Sequence, residues 1–285
     1  MRIAVTGATG RAGYPIARYL AGQGHEIVTL GRRAGSLGDH RRWVLGGPAP
    51  ELDGIDALVH AAFSHVPGRY RGGEGTDPRG FVALNRDGTL DLFRQARAAG
   101  VGRIVFLSSR AVHDGAPKGT VLTDDRPARP DSLYGTVKAD VEDWLARAAA
   151  PEFATLSVRA TGIYGAGAPG QPHKWADLFD GHLAGQRQPS RIGTELHEDD
   201  LAIAIGLLLA AGASGTVNAS DLLLDRHDLL AMVNAVVGRD LPLPPHADPA
   251  SVSVMTCDRL RDLGWVPRGW DGLQAAVTTL LSDSG

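Results

Sequence analysis

A single cysteine in 285 residues, Cys257, excludes an internal disulfide and any metal cage built from cysteine thiolates. It suits a reducing compartment, and Cys257 itself is read as an ordinary side chain rather than a reactive thiol. A strong charge of either sign is also missing. The formal net charge is −3, so nothing in the composition points to a nucleic-acid partner. Long hydrophobic runs are absent too: the longest, Leu201 to Gly212, is too short for a bilayer and contains a glycine, so a buried helix is expected and no membrane span. The chain opens on Met1-Arg2 and passes at once into Ile3-Ala4-Val5-Thr6-Gly7, with no room for a signal sequence, so a cytoplasmic protein is expected. No metal site is expected. What remains, 43% hydrophobic and 21% charged residues, is the composition of an ordinary globular chain large enough to bury its own core.

Apolar runs of strand length alternate with stretches of helical period, the pattern of βαβ units around a parallel sheet. The strands predicted are 2–6, 26–30, 43–45, 57–60, 103–107, 155–159 and 216–218. The helices predicted are 11–23, 81–99, 133–149, 174–184, 199–211, 226–237, 256–263 and 269–281. The fold class is therefore α/β, a Rossmann-type doubly wound parallel sheet with a small, mostly helical C-terminal lobe, and ligands are expected beyond the carboxyl ends of the strands. The expected division is a dinucleotide-binding domain over 1–160, with a returning segment around 190–220, and an interleaved substrate-binding lobe over 161–285. Between Ser64 and Gly80 lies a polar loop, Pro67-Gly68-Arg69-Tyr70-Arg71-Gly72-Gly73, that suits either a surface loop or a substrate lid.

The first strand runs straight into Thr6-Gly7-Ala8-Thr9-Gly10-Arg11-Ala12-Gly13, with glycines at Gly7, Gly10 and Gly13. Glycine there permits a tight turn, lets backbone N–H groups approach a pyrophosphate, and lets helix pack on strand. The helix start then offers partial positive charge. A dinucleotide is the ligand this turn suits, and Thr9, Arg11 and Ala12 belong to its cradle. The second strand ends in Leu30-Gly31-Arg32-Arg33. A carboxylate there would bind the adenosine ribose hydroxyls of NAD. A glycine followed by two guanidinium groups suits the extra phosphate of NADP instead, so NADP(H) is favoured over NAD(H).

Tyr134-Gly135-Thr136-Val137-Lys138 places a phenol and an ammonium one helical turn apart on one face. With five tyrosines and three lysines in the chain, chance supplies only roughly 0.05 such pairs. A tyrosine is a weak acid or base at neutral pH, but a neighbouring Lys⁺ and an oxidised nicotinamide favour its phenolate. It can then exchange a proton with a substrate oxygen while hydride moves. Upstream, Ile104-Val105-Phe106-Leu107-Ser108-Ser109 delivers hydroxyls at a strand end, and Ser109 can hold the same substrate oxygen.

These residues resemble the extended short-chain dehydrogenase/reductases, the family of NAD-dependent epimerases and dehydratases and of many carbonyl reductases. The resemblance runs nearly end to end. It includes the glycine turn, Val59-His60-Ala61-Ala62, Asn85-Arg86-Asp87-Gly88-Thr89, Ser108-Ser109-Arg110-Ala111-Val112, Tyr134 with Lys138, Arg159, Ile163-Tyr164-Gly165, and His197-Glu198-Asp199-Asp200-Leu201-Ala202. It implies that Ser109, Tyr134 and Lys138 are catalytic and that His60, Ala61 and Ala62 wrap the cofactor. It implies that Asn85 helps order the site and, with Tyr134 and Lys138, belongs to the cofactor-binding set, and it leaves room for a homodimer, since dimers are common among similar enzymes. His197 and Asp199 are read as residues pinning the second lobe to the first.

The departures bear on substrate. Family dehydratases carry Asp-Glu after the catalytic hydroxyl; Arg110-Ala111 stands there, against dehydration. An arginine that many sugar-nucleotide enzymes place four residues before His197 is Gly193 here, and the asparagine before Ile163 is Gly162. Arg69, Arg71, Arg110 or Arg191 could substitute, and Tyr164 is a further substrate candidate. The segment from Arg129 to Gly135 is similar to that of uronate dehydrogenases. The main expectation is an NAD(P)-dependent oxidoreductase acting on a small carbonyl or carbinol. The alternatives are a nucleotide-sugar epimerase and a non-catalytic dinucleotide-binding redox sensor.

Overall fold

The computed structural model describes residues 1–282 except 49, 67, 68, 70 and 71. Pro67, Gly68, Tyr70 and Arg71 thus lie outside the described residues, and with them the surface-loop and lid readings of that stretch and Arg71 as a substrate contact.

In chain order the elements are β1 (Arg2–Thr6), α1 (Gly13–Gly22), β2 (Glu26–Gly31), β3 (Asp39–Arg42), β4 (Ala57–His60), α2 (Pro78–Val82), α3 (Gly88–Ala98) and β5 (Arg103–Ser109). They continue with α4 (Leu133–Ala148), β6 (Ala154–Ala160), β7 (Gly162–Tyr164), α5 (Ala176–Leu183), β8 (Ile192–His197), α6 (Glu198–Ala210), β9 (Gly215–Ala219), β10 (Leu222–Asp225), α7 (Arg226–Val237), α8 (Asp258–Asp262) and α9 (Gly269–Ser282). Seven strands form one sheet in the order β3-β2-β1-β4-β5-β6-β9, every pair parallel. The chain reverses its winding between β1 and β4, which opens a crevice at their carboxyl ends, where the glycine turn and residues 60–62 emerge.

Two cores line this sheet because alternate strand residues face opposite ways. Ile3, Val5, Val59, Val105 and Val158 pack under α1 and α6, whereas Ala4, Leu58, Ile104 and Phe106 pack under α3 and α4. Each fully buried Leu, Ile or Phe contributes about 1.5–3 kcal/mol over its exposed state. A third core gathers Tyr164, Trp175, Phe179, Leu230, Val233 and Leu273 into a second lobe, where α5, α7 and α9 sit against a small sheet of order β10-β8-β7. Among the described residues no helix is long and apolar enough to cross a membrane.

Three differences from the sequence reading have physical causes. The third strand is Asp39–Arg42, not 43–45; it is the edge of the sheet and carries polar side chains, while Trp43 turns into the core at 5% exposure. The helix predicted over 81–99 is two helices, starting at Pro78 and joined through a widened turn, π-helical over Ala83–Asp87. Strands β7, β8 and β10 were not predicted. They are short, and β8 carries Gly193, Thr194 and Glu195, which break the apolar signature of a strand.

Candidate functional site

Thr6 organises the floor of the crevice. Its Oγ1 accepts from the backbone N–H groups of Ala61 and Ala62 at 3.1 and 3.0 Å and lies 2.9 Å from Nδ1 of His60. With both lone pairs engaged, the hydroxyl proton goes to Nδ1, and His60 donates from Nε2 to Thr89 at 3.1 Å. Burial and the Lys138 charge push His60 down to about 3, so it is a neutral strut. Its side chain is 1% exposed and ties β1, β4 and α3 together beneath the crevice. This corrects the expectation that the imidazole contacts cofactor; Ala61 and Ala62 alone lie half-buried at the crevice edge.

Above this floor two glycines of the turn, Gly7 and Gly13, have no room for a side chain. Gly7 has φ +69°, and a Cβ there would sit 2.8 Å from the Ala62 nitrogen; a Cβ on Gly13 would collide with the Gly7 carbonyl. The helix α1 can therefore approach β1 closely, with its N-terminus at the turn, a cradle that fits a dinucleotide pyrophosphate. Thr9 is exposed, and its carbonyl accepts from Gln171 at 2.7 Å; Arg11 donates to the Pro172 carbonyl at 3.3 Å. A loop of the second lobe thus lies over the turn, anchored at its start by the Glu198 carboxylate, which accepts from Gly167 N–H at 2.8 Å. Burial pushes Glu198 up to about 7. Arg32 and Arg33 are exposed just past the end of β2, beside the turn.

The candidate catalytic side chains come from β5 and α4. Ser132 caps α4 by accepting from Gly135 N–H at 3.1 Å, which sets Tyr134 in the first turn. Gly135 has no Cβ to strike the Ala111 carbonyl, 2.5 Å from where one would stand, so α4 packs tightly on the short helix Arg110–His113 that follows Ser109. Ser109 is half-buried with extended backbone, and its Oγ accepts from Ala111 N–H at 3.1 Å. Lys138 is 5% exposed; its Nζ donates to the Leu107 carbonyl at 2.6 Å and lies 4.5 Å from the ring centres of Phe63 and Phe106. Burial pushes it down to about 7, against the attraction of Glu142. Phe63 also meets Tyr134 edge-on, ring centres 5.1 Å apart. Ser109, Tyr134 and Lys138 are thus brought to the end of β5, beside the crevice.

Beneath them lies a buried ion pair: Arg159 Nη2 is 2.8 Å from Glu142 Oε2, and Ser108 donates to the same carboxylate. Asn85 is 2% exposed, accepting from Ser64 N–H at 2.7 Å and donating to Ser64 O and Phe81 O at 2.8 and 3.0 Å. It fixes the segment that carries Phe63. Sequence reasoning missed Phe63 and Glu142. The spacing Tyr134, Lys138, Glu142 was the signal available for the second, since all three share one helical face.

The substrate candidates separate. Tyr164 is fully buried, stacked on Trp175 with ring centres 5.0 Å apart and edge-on to His197, and burial pushes its phenol well above the ordinary range. It is a core residue, which corrects its reading as a substrate contact. Arg110 donates to Ser253 O at 3.0 Å and to Asp114 at 3.2 Å, lining a polar cavity of about 410 Å³ beside the start of α4. Arg191 is exposed on a different cleft in the second lobe, with Trp175, Arg226 and Gly193. Arg69 is exposed. A Cβ on Gly162 would meet the buried Lys174–Glu195 ion pair, so that pair fills the space of the missing asparagine. His197 caps α6, accepting from Asp199 N–H at 3.1 Å; Asp199 pairs with Arg18 and Arg268. Cys257 is 1% exposed, with its thiol pushed up to about 11 by burial, as an inert side chain should be.

A parallel sheet with a glycine turn at its switch point, and a Tyr-x-x-x-Lys helix beside it, defines a dinucleotide-binding enzyme of the short-chain dehydrogenase/reductase class. The model of the NAD dependent epimerase/dehydratase family matches residues 3–219, and the chain belongs to that family. A UDP-glucose 4-epimerase of Streptomyces lividans is 33% identical over 180 residues, which cover 57% of this chain and only 52% of that enzyme. A 3-diazoavenalumate denitrifying reductase of a Streptomyces species is 27% identical over 277 residues, covering 93% of this chain and 88% of that protein. Among solved structures, the UDP-glucose 4-epimerase of Thermotoga maritima with UDP-glucose superposes with TM-score 0.83 at 18% identity, covering 100% of both chains. The UDP-glucose 4-epimerase of Thermus thermophilus with NAD gives 0.80 at 23% identity, covering 99% of both. The last two show the fold.

Proposed function

We propose that this chain moves hydride between a nicotinamide cofactor and a carbinol carbon, with Tyr134 passing the proton of the substrate oxygen. The observation that carries this is the placement of Lys138, buried one turn beyond Tyr134 with its Nζ on the Leu107 carbonyl of β5. In its protonated form Lys138 favours the phenolate, so the phenol can take a carbinol proton or return one to a carbonyl. Ser109 Oγ holds that oxygen in line. Bound NAD(P) supplies the hydride acceptor and donor. The cradle of Gly7, Gly10, Thr9, Arg11, Ala12 and Gly13 takes its pyrophosphate, Ala61 and Ala62 wall it, and Arg32 and Arg33 favour NADP.

The names of the relatives support epimerisation of a nucleotide-linked sugar, in which hydride returns to the same carbon, better than net reduction. That is the first reading for the outcome of the chemistry. Net oxidation or reduction of a smaller carbonyl is the second, and a specific observation favours it. The Lys174–Glu195 pair fills the space beside Gly162, and Gly193 has no side chain to reach a diphosphate.

One experiment separates them. The nucleotide released from denatured purified protein is identified, and the intact protein is then given UDP-glucose or UDP-galactose, and in parallel aldehydes, ketones and free sugars with NADPH or NADH. Retained NAD with interconversion of the UDP-sugars supports epimerisation. Consumption of added NADPH with no interconversion supports the reductase, and neither activity in wild type overturns the hydride-transfer proposal.

A further inference from the structure

We propose that His227, Asp228 and His246 form a binding site for a divalent transition-metal ion of the zinc type on the second lobe. Each offers one ligand atom, and these atoms lie within 4.8 Å of one another. Two backing contacts orient the imidazoles. His227 Nδ1 is 2.7 Å from the Pro244 carbonyl, which only accepts, so Nδ1 carries the proton and Nε2 keeps its lone pair for a ligand. His246 Nδ1 lies 3.7 Å from Oδ2 of the buried Asp225, near enough for that carboxylate to back the ring once the side chain adjusts. A carbonyl or carboxylate behind a histidine is the arrangement that fixes metal-binding imidazoles.

The scaffold is rigid where it needs to be. Asp225 caps α7 by accepting from His227 N–H at 2.8 Å, and its second oxygen accepts from Ala247 N–H at 2.8 Å. One carboxylate therefore clamps the segment carrying His246 to the helix turn carrying His227 and Asp228. The two rings stack with centres 3.8 Å apart and planes 28° apart. Closing onto an ion at about 2.0–2.2 Å from each ligand requires the stack to open, by a rotation of the exposed His246 side chain. Two imidazoles and one carboxylate suit zinc, cobalt or nickel; calcium and magnesium prefer oxygen. The positive end of α7 opposes a cation, and the charges of Asp225 and Asp228 offset it. Arg226 and Leu229 on the same turn line the second-lobe cleft, so a bound ion would brace that wall.

The test uses tag-free full-length protein stripped with a chelator. Zinc uptake is measured by equilibrium dialysis and coordination by the visible absorption of added Co²⁺, for wild type, His246→Ala and Asp228→Asn. We expect one ion per wild-type chain, a cobalt spectrum of four-coordinate type, and binding at least tenfold weaker in both variants. The melting temperature of the wild type, and not of His246→Ala, should rise with zinc. Equal zinc uptake and equal melting shifts in wild type and His246→Ala, or no uptake by wild type at about 100 µM zinc, would overturn the proposal.

Discussion

Lys138 donates to the Leu107 carbonyl across 2.6 Å while the ring centres of Phe63 and Phe106 lie 4.5 Å from its nitrogen. An ammonium so enclosed costs folding energy. Its proton leaves the folded chain at about 7, against an ordinary 10.5. Between those values the unfolded chain binds more protons, so stability rises with pH, and below about 7 the full cost stays. Lys138→Met removes it. The variant should be more stable than wild type in acid, with the gap closing as pH climbs from about 7 toward 10.5, read from urea midpoints across that range. A gap independent of pH would contradict the burial argument.

Tyr134→Phe deletes one hydroxyl from a ring that keeps its contact with Phe63. Turnover should fall roughly 10²–10⁴-fold, the usual worth of a positioned acid or base, while cofactor affinity stays within a few fold. Steady-state kinetics with fluorescence titration of the reduced cofactor checks both parts. Turnover like that of wild type would end the assignment of the proton step.

Arg32→Ala with Arg33→Ala removes two exposed guanidinium groups beside the glycine turn. Charge-assisted hydrogen bonds to a phosphate are each worth about 1.5–3 kcal/mol, so loss of both should weaken NADP by about two to four orders of magnitude and NAD far less. Dissociation constants for the two cofactors, measured side by side, decide it; equal losses would count against the preference for NADP.

Arg159→Met leaves the Glu142 carboxylate buried at 5% exposure without its guanidinium partner. Breaking such a pair costs about 3–5 kcal/mol. Adding Glu142→Leu should restore much of the loss, because the stranded charge is then gone. Urea unfolding of the two variants tests this, and a double variant no more stable than Arg159→Met alone would show that the pair does not act as a unit.

Several parts of the site could be read from spacing. The glycine turn announced itself because Gly7, Gly10 and Gly13 follow an apolar strand directly, and Tyr134 with Lys138 because lysine is scarce and four residues make one helical turn. Phe63 had no such signature. It matters through an edge-on contact with a tyrosine 71 positions later, and nothing local marks that. His60 and Tyr164 looked like site residues by position, yet each is sealed inside a core. Partners that seal them, Thr6 and Thr89 for one and His197 for the other, come from remote segments.

Six of the seven main-sheet strands, the glycine turn after the first of them, and the phenol and ammonium on one helix face were legible in the sequence. Those properties depend on local periodicity, on turn chemistry, and on residues a few positions apart. Only tertiary structure decided which polar groups face the crevice and which lie beneath it, how the Lys174–Glu195 pair fills the place of an absent side chain, and that His227 and His246 stack. Burial and long-range contact depend on where distant segments meet, and the patterns within any one segment do not encode that meeting.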